Sequence, residues 1–349
     1  MTLLVVGGGK MGMSHLALCT PYVGKRNIAL CDKSFLTRRF FRYLGYQTFS
    51  SVDKAAASLK SISGMVIATP TASHAALGRW AIERKIPVFI EKPLTLSVTA
   101  SEELRQAAEA GKVPAQVGFV MRHVASFQRL RAVVNDGSLG TLRGYTASMR
   151  GNVMTKAPPE DSWQGNFARG GGCLNEYGPH IIDLCSFVFG PVRDVEAAEA
   201  VRVHCVNADD RTSVRWTHRP PNAADDVAGA VVIDWADASK RKSVIEIAAN
   251  FEHAQLRVDN SVVEVNWHPD SSLSATARAQ IDLSVQPANV AYYLRGEEFS
   301  LELEDFLEMC GQSGMHVAPS LPDGVTATLA DGCEVDRLID LIASKAGLK

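Results

Sequence analysis

From residue 1 to about residue 120, short and almost continuous apolar runs alternate with amphipathic stretches. Leu3–Val6, Ile28–Cys31, Gly64–Ala68, Val88–Ile90 and Ala115–Val120 read as strands. Met11–Cys19, Leu36–Leu44, Ser73–Arg84 and Thr99–Ala110 read as the helices between them. Strands that are apolar throughout are those of a parallel sheet covered on both faces. Strand–helix alternation of this kind predicts a doubly wound parallel α/β domain of Rossmann type.

Beyond residue 120 the pattern changes. A helix over about 124–136 stops at Asp136-Gly137, a strand follows at Leu142–Met149, and a polar loop occupies 151–169. From 192 to 268 strands dominate: Val195–His204, Val227–Asp234, Ser243–Asn250, Gln255–Val258 and Val262–Trp267. Val231, Ile233 and Trp235 share one face, which fits a large, mainly antiparallel sheet with one face open. The interval 206–225, with Arg219-Pro220-Pro221-Asn222, reads as an exposed loop. Phe299–Met309 and Gly332–Lys345 read as closing helices. The expectation is an α/β chain of two domains, residues 1–120 and an α+β domain over 121–349. The open sheet face is expected to present a broad apolar surface and to pair in a homodimer or homotetramer.

Two motifs in the first domain carry chemistry. Gly7-Gly8-Gly9-Lys10-Met11-Gly12 fits G-x-G-x-x-G, directly after a strand and before a helix. Gly7, Gly9 and Gly12 let the backbone turn tightly and approach a pyrophosphate, and Lys10 and Met11 open the helix whose N-terminus meets that charge. Asp32 ends the second strand, where a carboxylate bonds ribose hydroxyls and repels a 2′-phosphate, favouring NAD. Lys33, Arg38 and Arg39 nearby leave NADP open. The second motif, Glu91-Lys92-Pro93, puts Lys92 at a strand's carboxyl end, where ligands of open α/β sheets bind. The preceding strand ends in Ala68-Thr69-Pro70-Thr71-Ala72-Ser73-His74.

A third segment lies in the second domain: Gly170-Gly171-Gly172-Cys173-Leu174-Asn175-Glu176-Tyr177-Gly178-Pro179-His180-Ile181-Ile182-Asp183. Glu176, His180 and Asp183 recur at spacings that share one face of a helix, aiming a carboxylate and an imidazole the same way as proton transfer requires. By itself the segment equally fits a tight loop leading into a buried helix. Pro179 fits if the helix begins near Gly178, with Glu176 on the preceding turn.

In order, the glycine loop, T-P-x-x-x-H, E-K-P and G-G-G-x-L-x-x-x-G-x-H-x-x-D resemble the pattern of the glucose–fructose oxidoreductase/inositol dehydrogenase (Gfo/Idh/MocA) family over nearly the whole chain. Trp163 and Tyr293–Phe299 look like its sugar-oriented members. The resemblance implies an NAD(P)-binding first domain, with Thr69, Pro70, His74, Glu91 and Lys92 lining the cofactor, and a second domain for substrate binding and oligomerisation. It implies Lys92 and His180 as catalytic groups, with His180 and Trp163 toward the substrate. Glu176 stands where the family usually has Asp, one methylene longer. The implied activity is hydride transfer between nicotinamide and a secondary hydroxyl or ketone of a sugar, inositol or nucleotide-linked sugar. His180 would act as general base, Lys92 would stabilise the alkoxide and Glu176 would orient one of them. Arg122 reads equally as a substrate contact or an interdomain ion pair, and Asp183 as a partner of His180 or a plain buried residue. Two alternatives stay open, an NAD-dependent glycosidase of the same fold and a non-catalytic dinucleotide-binding regulator.

Composition narrows the remaining classes. With 349 residues and a formal net charge of −2, the chain has no basic stripe for nucleic acid. No run of 18 apolar residues predicts a membrane span, and the start lacks a basic leader. Seven scattered cysteines without a Cys-x-x-Cys pair fit free thiols in a reducing cytoplasm. His204, His218, His253, His268 and His316 show no metal-ligand spacing, so no metal is expected and they read as structural or exposed.

Overall fold

The computed structural model describes residues 1–159, 162–221, 223–286, 288–311 and 324–349, and His316 lies outside them. The chain divides into two compact units. Met1–His123 with Ala288–Asp336 forms the first, and Val124–Pro287 with Arg337–Lys349 the second.

In the first unit the chain runs β1 (Thr2–Val6), α1 (Lys10–Val23), β2 (Ile28–Cys31), α2 (Phe35–Tyr43), β3 (Gln47–Phe49), α3 (Val52–Ser58), β4 (Ile62–Ile67), α4 (His74–Glu83), β5 (Val88–Glu91), α5 (Val98–Gly111) and β6 (Ala115–Gly118). The strands form a six-stranded sheet in the order β3-β2-β1-β4-β5-β6, parallel throughout. Strand order reverses between β1 and β4, opening a crevice at their carboxyl ends, the place where α/β sheets bind ligands. The expected strands and helices are present. The sequence pattern missed β3 and α3, because Gln47-Thr48-Phe49 is too short and polar to stand out.

The second unit contains α6 (Ala125–Asp136), β7 (Leu142–Arg150), α7 (Cys173–Glu176), α8 (Gly178–Phe189), β8 (Val192–Val201), β9 (Arg211–His218), β10 (Val227–Asp234), β11 (Val244–Phe251), β12 (Ala254–Asp259), β13 (Val263–Trp267) and α9 (Ala275–Gln280). Its seven-stranded sheet has the order β13-β12-β11-β7-β10-β9-β8. The pair β7/β10 is parallel and the other pairs are antiparallel. The last helices, α10 (Glu297–Met309) and α11 (Leu329–Lys345), follow.

The expected break near residue 120 has a counterpart at His123/Val124, but 288–336 returns to the first unit. There α10 buries Leu303, Phe306 and Leu307 among Leu3, Val5, Leu16 and Phe89. An apolar helix face does not announce which sheet it will cover, so the return is invisible in the pattern. The first turns of α11 are tied in by Asp336, which accepts from the Thr95 N–H at 2.9 Å and the Ser101 hydroxyl at 2.6 Å. Burial pushes its carboxyl up to about 7.

Two expectations about the second unit change. The interval 206–225 is not a loop throughout: β9 occupies Arg211–His218, with Thr212, Val214, Trp216 and His218 buried. This is a period-two pattern masked by intervening Arg and Ser. The open sheet face is also less apolar than expected. Ala230, Val232 and Ala248 lie there with Thr146, Glu246 and Arg257, lining a shallow depression of small, apolar and charged residues.

His218 sits at the other extreme, fully buried beside Tyr145, Phe189 and Trp216. Its Nδ1 lies 2.7 Å from the Gly190 carbonyl. Burial lowers its pKa from 6.5 to about 4, against the raising effect of that bond. Below pH 6.5 the unfolded chain therefore binds the extra proton first. Stability is complete above pH ~6.5 and is lost as pH falls towards 4, by up to about 3 kcal/mol from this residue. Urea midpoints of the full chain should fall over that window, and those of His218→Phe should fall less steeply.

Candidate functional site

The glycine turn joins β1 to α1. The Gly7 N–H donates to Cys31 O at 2.8 Å and the Ala68 N–H to Val6 O at 2.8 Å, drawing the ends of β2, β1 and β4 into one rim. A Cβ at Gly12 would lie 1.7 Å from Gly7 O, so backbone meets backbone where the helix starts. A Cβ at Gly9 would meet nothing within 4 Å. Gly9 is the N-cap of the 14-residue α1 and makes no side-chain cap hydrogen bond, so no cap side chain occupies the helix N-terminus. A cradle without Cβ atoms above a helix N-terminus suits a pyrophosphate.

Asp32 is tied to this turn. Its Oδ2 accepts from the Gly8 N–H at 2.7 Å and its Oδ1 from the Ser34 N–H at 2.6 Å. Each oxygen keeps a second lone pair for a ribose hydroxyl. Lys33 and Arg39 are exposed. Arg38 donates to the carbonyls of Asp32 and Lys33, both at 2.7 Å, so it braces the loop. Arg295, from the segment 293–299, reaches the same turn, with Nη1 3.4 Å from Met11 Sδ.

The adjacent strand ends are clasped by His74, the first residue of α4. Its Nδ1 lies 3.0 Å from Pro93 O and its Nε2 2.8 Å from Thr69 O. Burial holds its pKa below the usual value, although both carbonyls and the nearby Glu91 favour the charged ring. Glu91 is buried and accepts from His15 Nε2 at 2.6 Å and from the Lys92 N–H at 3.2 Å. Burial pushes its carboxyl up, but the His15 bond and the charges of His15, Lys92 and His74 outweigh that and hold it below the usual range. Lys92 is half-buried at the end of β5. The first unit thus brings together Gly7, Gly9, Lys10, Met11, Gly12, Asp32, Thr69, Pro70, His74, Glu91 and Lys92 along the carboxyl ends of β1, β2, β4 and β5.

Arg122 is buried and pairs with Asp331 at 2.9 Å within the first unit, so this ion pair is not interdomain. His123 pairs with Asp305 at 3.1 Å. Substrate contact by Arg122 would compete with the Asp331 pair.

In the second unit the glycine run makes a turn that only glycine fits. A Cβ at Gly171 would meet Trp163 O at 2.2 Å, and Gly172 has a φ of +91°. Asn175 Nδ2 donates to Gly171 O at 2.8 Å and to Phe167 O at 3.2 Å. Asp209 accepts from the Leu174 N–H at 2.9 Å, Cys173 Sγ at 2.9 Å and Thr212 Oγ1 at 2.7 Å. Burial raises its carboxyl, and those donors only partly offset it. Glu176 ends α7 while His180 and Asp183 belong to α8, with the break at Tyr177. Tyr177 keeps right-handed helical angles, φ −95° and ψ −33°, and Pro179 occupies the first turn of α8, with Glu176 on the preceding turn as the sequence suggests. His180 and Glu176 are half-buried and Asp183 is buried. Trp163, on the preceding 3-10 turn, is 43% exposed.

His15, Asn175 and Asp209 are parts of these assemblies that sequence reasoning missed. Only His15 left a trace, as a histidine on the apolar face of α1 beside Leu16, Leu18 and Cys19.

Residues 1–119 match the model of an oxidoreductase family with an NAD-binding Rossmann fold (GFO/IDH/MocA), and residues 127–250 match the GFO/IDH/MocA C-terminal domain. The rhizopine catabolism protein MocA of Rhizobium meliloti is 28% identical over 53% of this chain and 56% of its own length. In the first relatives the match spans about half of their length or less. An inositol 2-dehydrogenase of Rhizobium meliloti is 26% identical over 94% of both chains. Among solved structures, a levoglucosan dehydrogenase in complex with NADH and L-sorbose superposes with a TM-score of 0.78 at 17% identity, covering 99% of this chain and 97% of that one. At that identity the likeness establishes the fold. Among the described residues no helix is long and apolar enough to cross a membrane.

Proposed function

We propose, from the premise that this chain belongs to the Gfo/Idh/MocA oxidoreductase family and carries its NAD-binding Rossmann fold, that it is an NAD-linked dehydrogenase of polyols or sugars. The observation that carries this reading is the glycine cradle at the head of α1, with Lys92 on the same rim of carboxyl ends. A dinucleotide stretched along that rim from Asp32 would bring its nicotinamide end toward β5. Full-length similarity to an inositol 2-dehydrogenase and likeness of fold to a levoglucosan dehydrogenase support a cyclic polyhydroxy substrate.

The residues fit a dinucleotide. Gly7–Gly12 would hold its pyrophosphate, Asp32 a ribose, and Thr69, Pro70, His74 and Glu91 would shape the crevice wall. When bound, the cofactor supplies the hydride acceptor or donor. The protein's task is the proton and the charge on the substrate oxygen. Lys92 donates a charge-assisted hydrogen bond to that oxygen and stabilises alkoxide character. His180 takes the hydroxyl proton as general base. Glu176 orients one of these groups from the turn before α8, and Trp163 offers an aromatic face to a sugar ring. The seven-stranded sheet pairs with that of a second copy, where Glu246 and Arg257 can meet opposite charges.

The test is a reduction assay with NAD and NADP against myo-inositol, levoglucosan, glucose 6-phosphate and nucleotide sugars. Reduction of NAD, faster than of NADP, by one class of polyol or sugar is expected. Glycoside cleavage without net reduction would favour the NAD-dependent glycosidase. Dinucleotide binding without turnover of any compound would favour the regulator.

A further inference from the structure

The pair between His15 and Glu91 joins the two halves of the cofactor rim. His15 lies on α1, six residues after its Gly9 cap, and Glu91 ends β5 directly before Lys92. The imidazole is 0% exposed and packs edge-on to Phe89, with ring centroids 5.3 Å apart. Its Nε2 donates to Glu91 Oε1 at 2.6 Å, and the other carboxylate oxygen accepts from the Lys92 main chain. Gly118 of β6 leaves room for that carboxylate, since a Cβ there would come within 3.2 Å of Oε2.

The pair is a costly way to fill a core. His15 Nδ1 is buried without a hydrogen-bond partner among the described residues, and a buried unsatisfied polar group destabilises a fold. A carboxylate shut away from water adds to that cost. An apolar pair at 15 and 91 would fill the same space without either penalty. Placement of such a pair at the residue before Lys92, the lysine of the proposed reaction, points to a role beyond packing.

We infer that His15 is a positioning residue for the proposed reaction: it fixes the Glu91 carboxylate, which in turn holds Lys92 in place relative to the glycine turn. The inference rests on the reading of Lys92 as the group that acts on the substrate oxygen. The charged and titratable groups facing Glu91 are His15 from α1, Lys92 beyond the strand end and His74 from α4. Without His15 the burial of Glu91 is no longer outweighed, so its carboxyl takes up a proton at higher pH. Lys92 then loses its fixed anionic neighbour.

The experiment compares His15→Phe, His15→Gln, Glu91→Gln and Lys92→Ala in the full chain. It uses the compound from the panel above that gives turnover, with NADH fluorescence titration alongside. His15→Phe should keep NADH affinity within about threefold. Its kcat/KM should gain a new acid limb, falling about tenfold per pH unit as Glu91 is protonated. His15→Gln, whose Nε2 can also donate, should restore most of the loss. The double variant His15→Phe/Glu91→Gln should be no slower than Glu91→Gln alone, since the two act as one unit. A wild-type pH profile in His15→Phe, with Lys92→Ala inactive, would overturn the inference and leave the reading of Lys92 standing. Normal turnover in Lys92→Ala would overturn that reading itself. Should His15→Phe not fold, the near-isosteric Glu91→Gln carries the test: it should lose kcat with KM and NADH affinity little changed, and wild-type kcat would overturn the inference.

Discussion

Lys92→Ala is expected to bind NADH as the unaltered protein does and to turn over at least ~10²- to 10⁴-fold more slowly. The side chain leaves β5 at the rim where the dinucleotide would lie, and its main chain is held by Glu91. Deleting it removes the cation that the proposed reaction sets beside the substrate oxygen, while the glycine cradle and Asp32 stay intact. The loss should therefore appear in kcat, with little change in the KM for NAD. Steady-state assays joined to NADH titration separate the two. Turnover within a few-fold of normal would exclude Lys92 from the chemistry.

The second large effect separates folding from binding at the glycine turn. Gly12→Ala places a Cβ against the Gly7 carbonyl, with neither side able to yield without moving β1 or α1. Overpacking of this kind costs about 1–3 kcal/mol in a tight core, so the melting temperature and NADH affinity should both drop. Gly9→Ala meets no neighbour in the protein. Its melting temperature should hold, while NADH affinity falls ~10-fold or more as the methyl enters the space a pyrophosphate needs. Thermal melts without ligand, followed by NADH titrations, check both variants. Unchanged affinity in Gly9→Ala would mean that the pyrophosphate lies elsewhere.

The sequence showed the site unevenly, for physical reasons. Parallel strands such as Leu3–Val6 and Val88–Ile90 are apolar on both faces and stand out, and so do their carboxyl-end motifs. Strand β9 did not stand out, because Arg211, Ser213 and Arg215 alternate with its buried residues and Arg219-Pro220 follows it. Asp209 was hidden for another reason. Its partners Cys173 and Leu174 lie 36 and 35 residues away, and nothing local distinguishes a buried acceptor from an exposed turn residue. His15 and Glu91 are separated by 76 positions, and only the packing of α1 against β5 brings them into contact. The helical spacing of Glu176 and His180 was legible, and Pro179 marked where α8 could begin, with Glu176 on the preceding turn.

The opposing demands of the two units have one further consequence for handling the protein. Buried Asp336 in the first unit has its carboxyl raised to about 7, which favours lower pH, whereas buried His218 in the second favours pH above 6.5. The charged form of Asp336 is the unfavourable one. Its contribution is therefore complete below pH ~4 and is lost as pH rises through 7.

The claim that hydride passes between a carbinol carbon and the nicotinamide is tested most directly by isotope transfer. The compound that gives turnover is supplied with deuterium on its reacting carbon, and the reduced dinucleotide is analysed by mass spectrometry. One deuterium is expected in each NADH formed, with a slower rate than for the protiated compound. Unlabelled NADH, or product released with no net reduction of NAD, would contradict it.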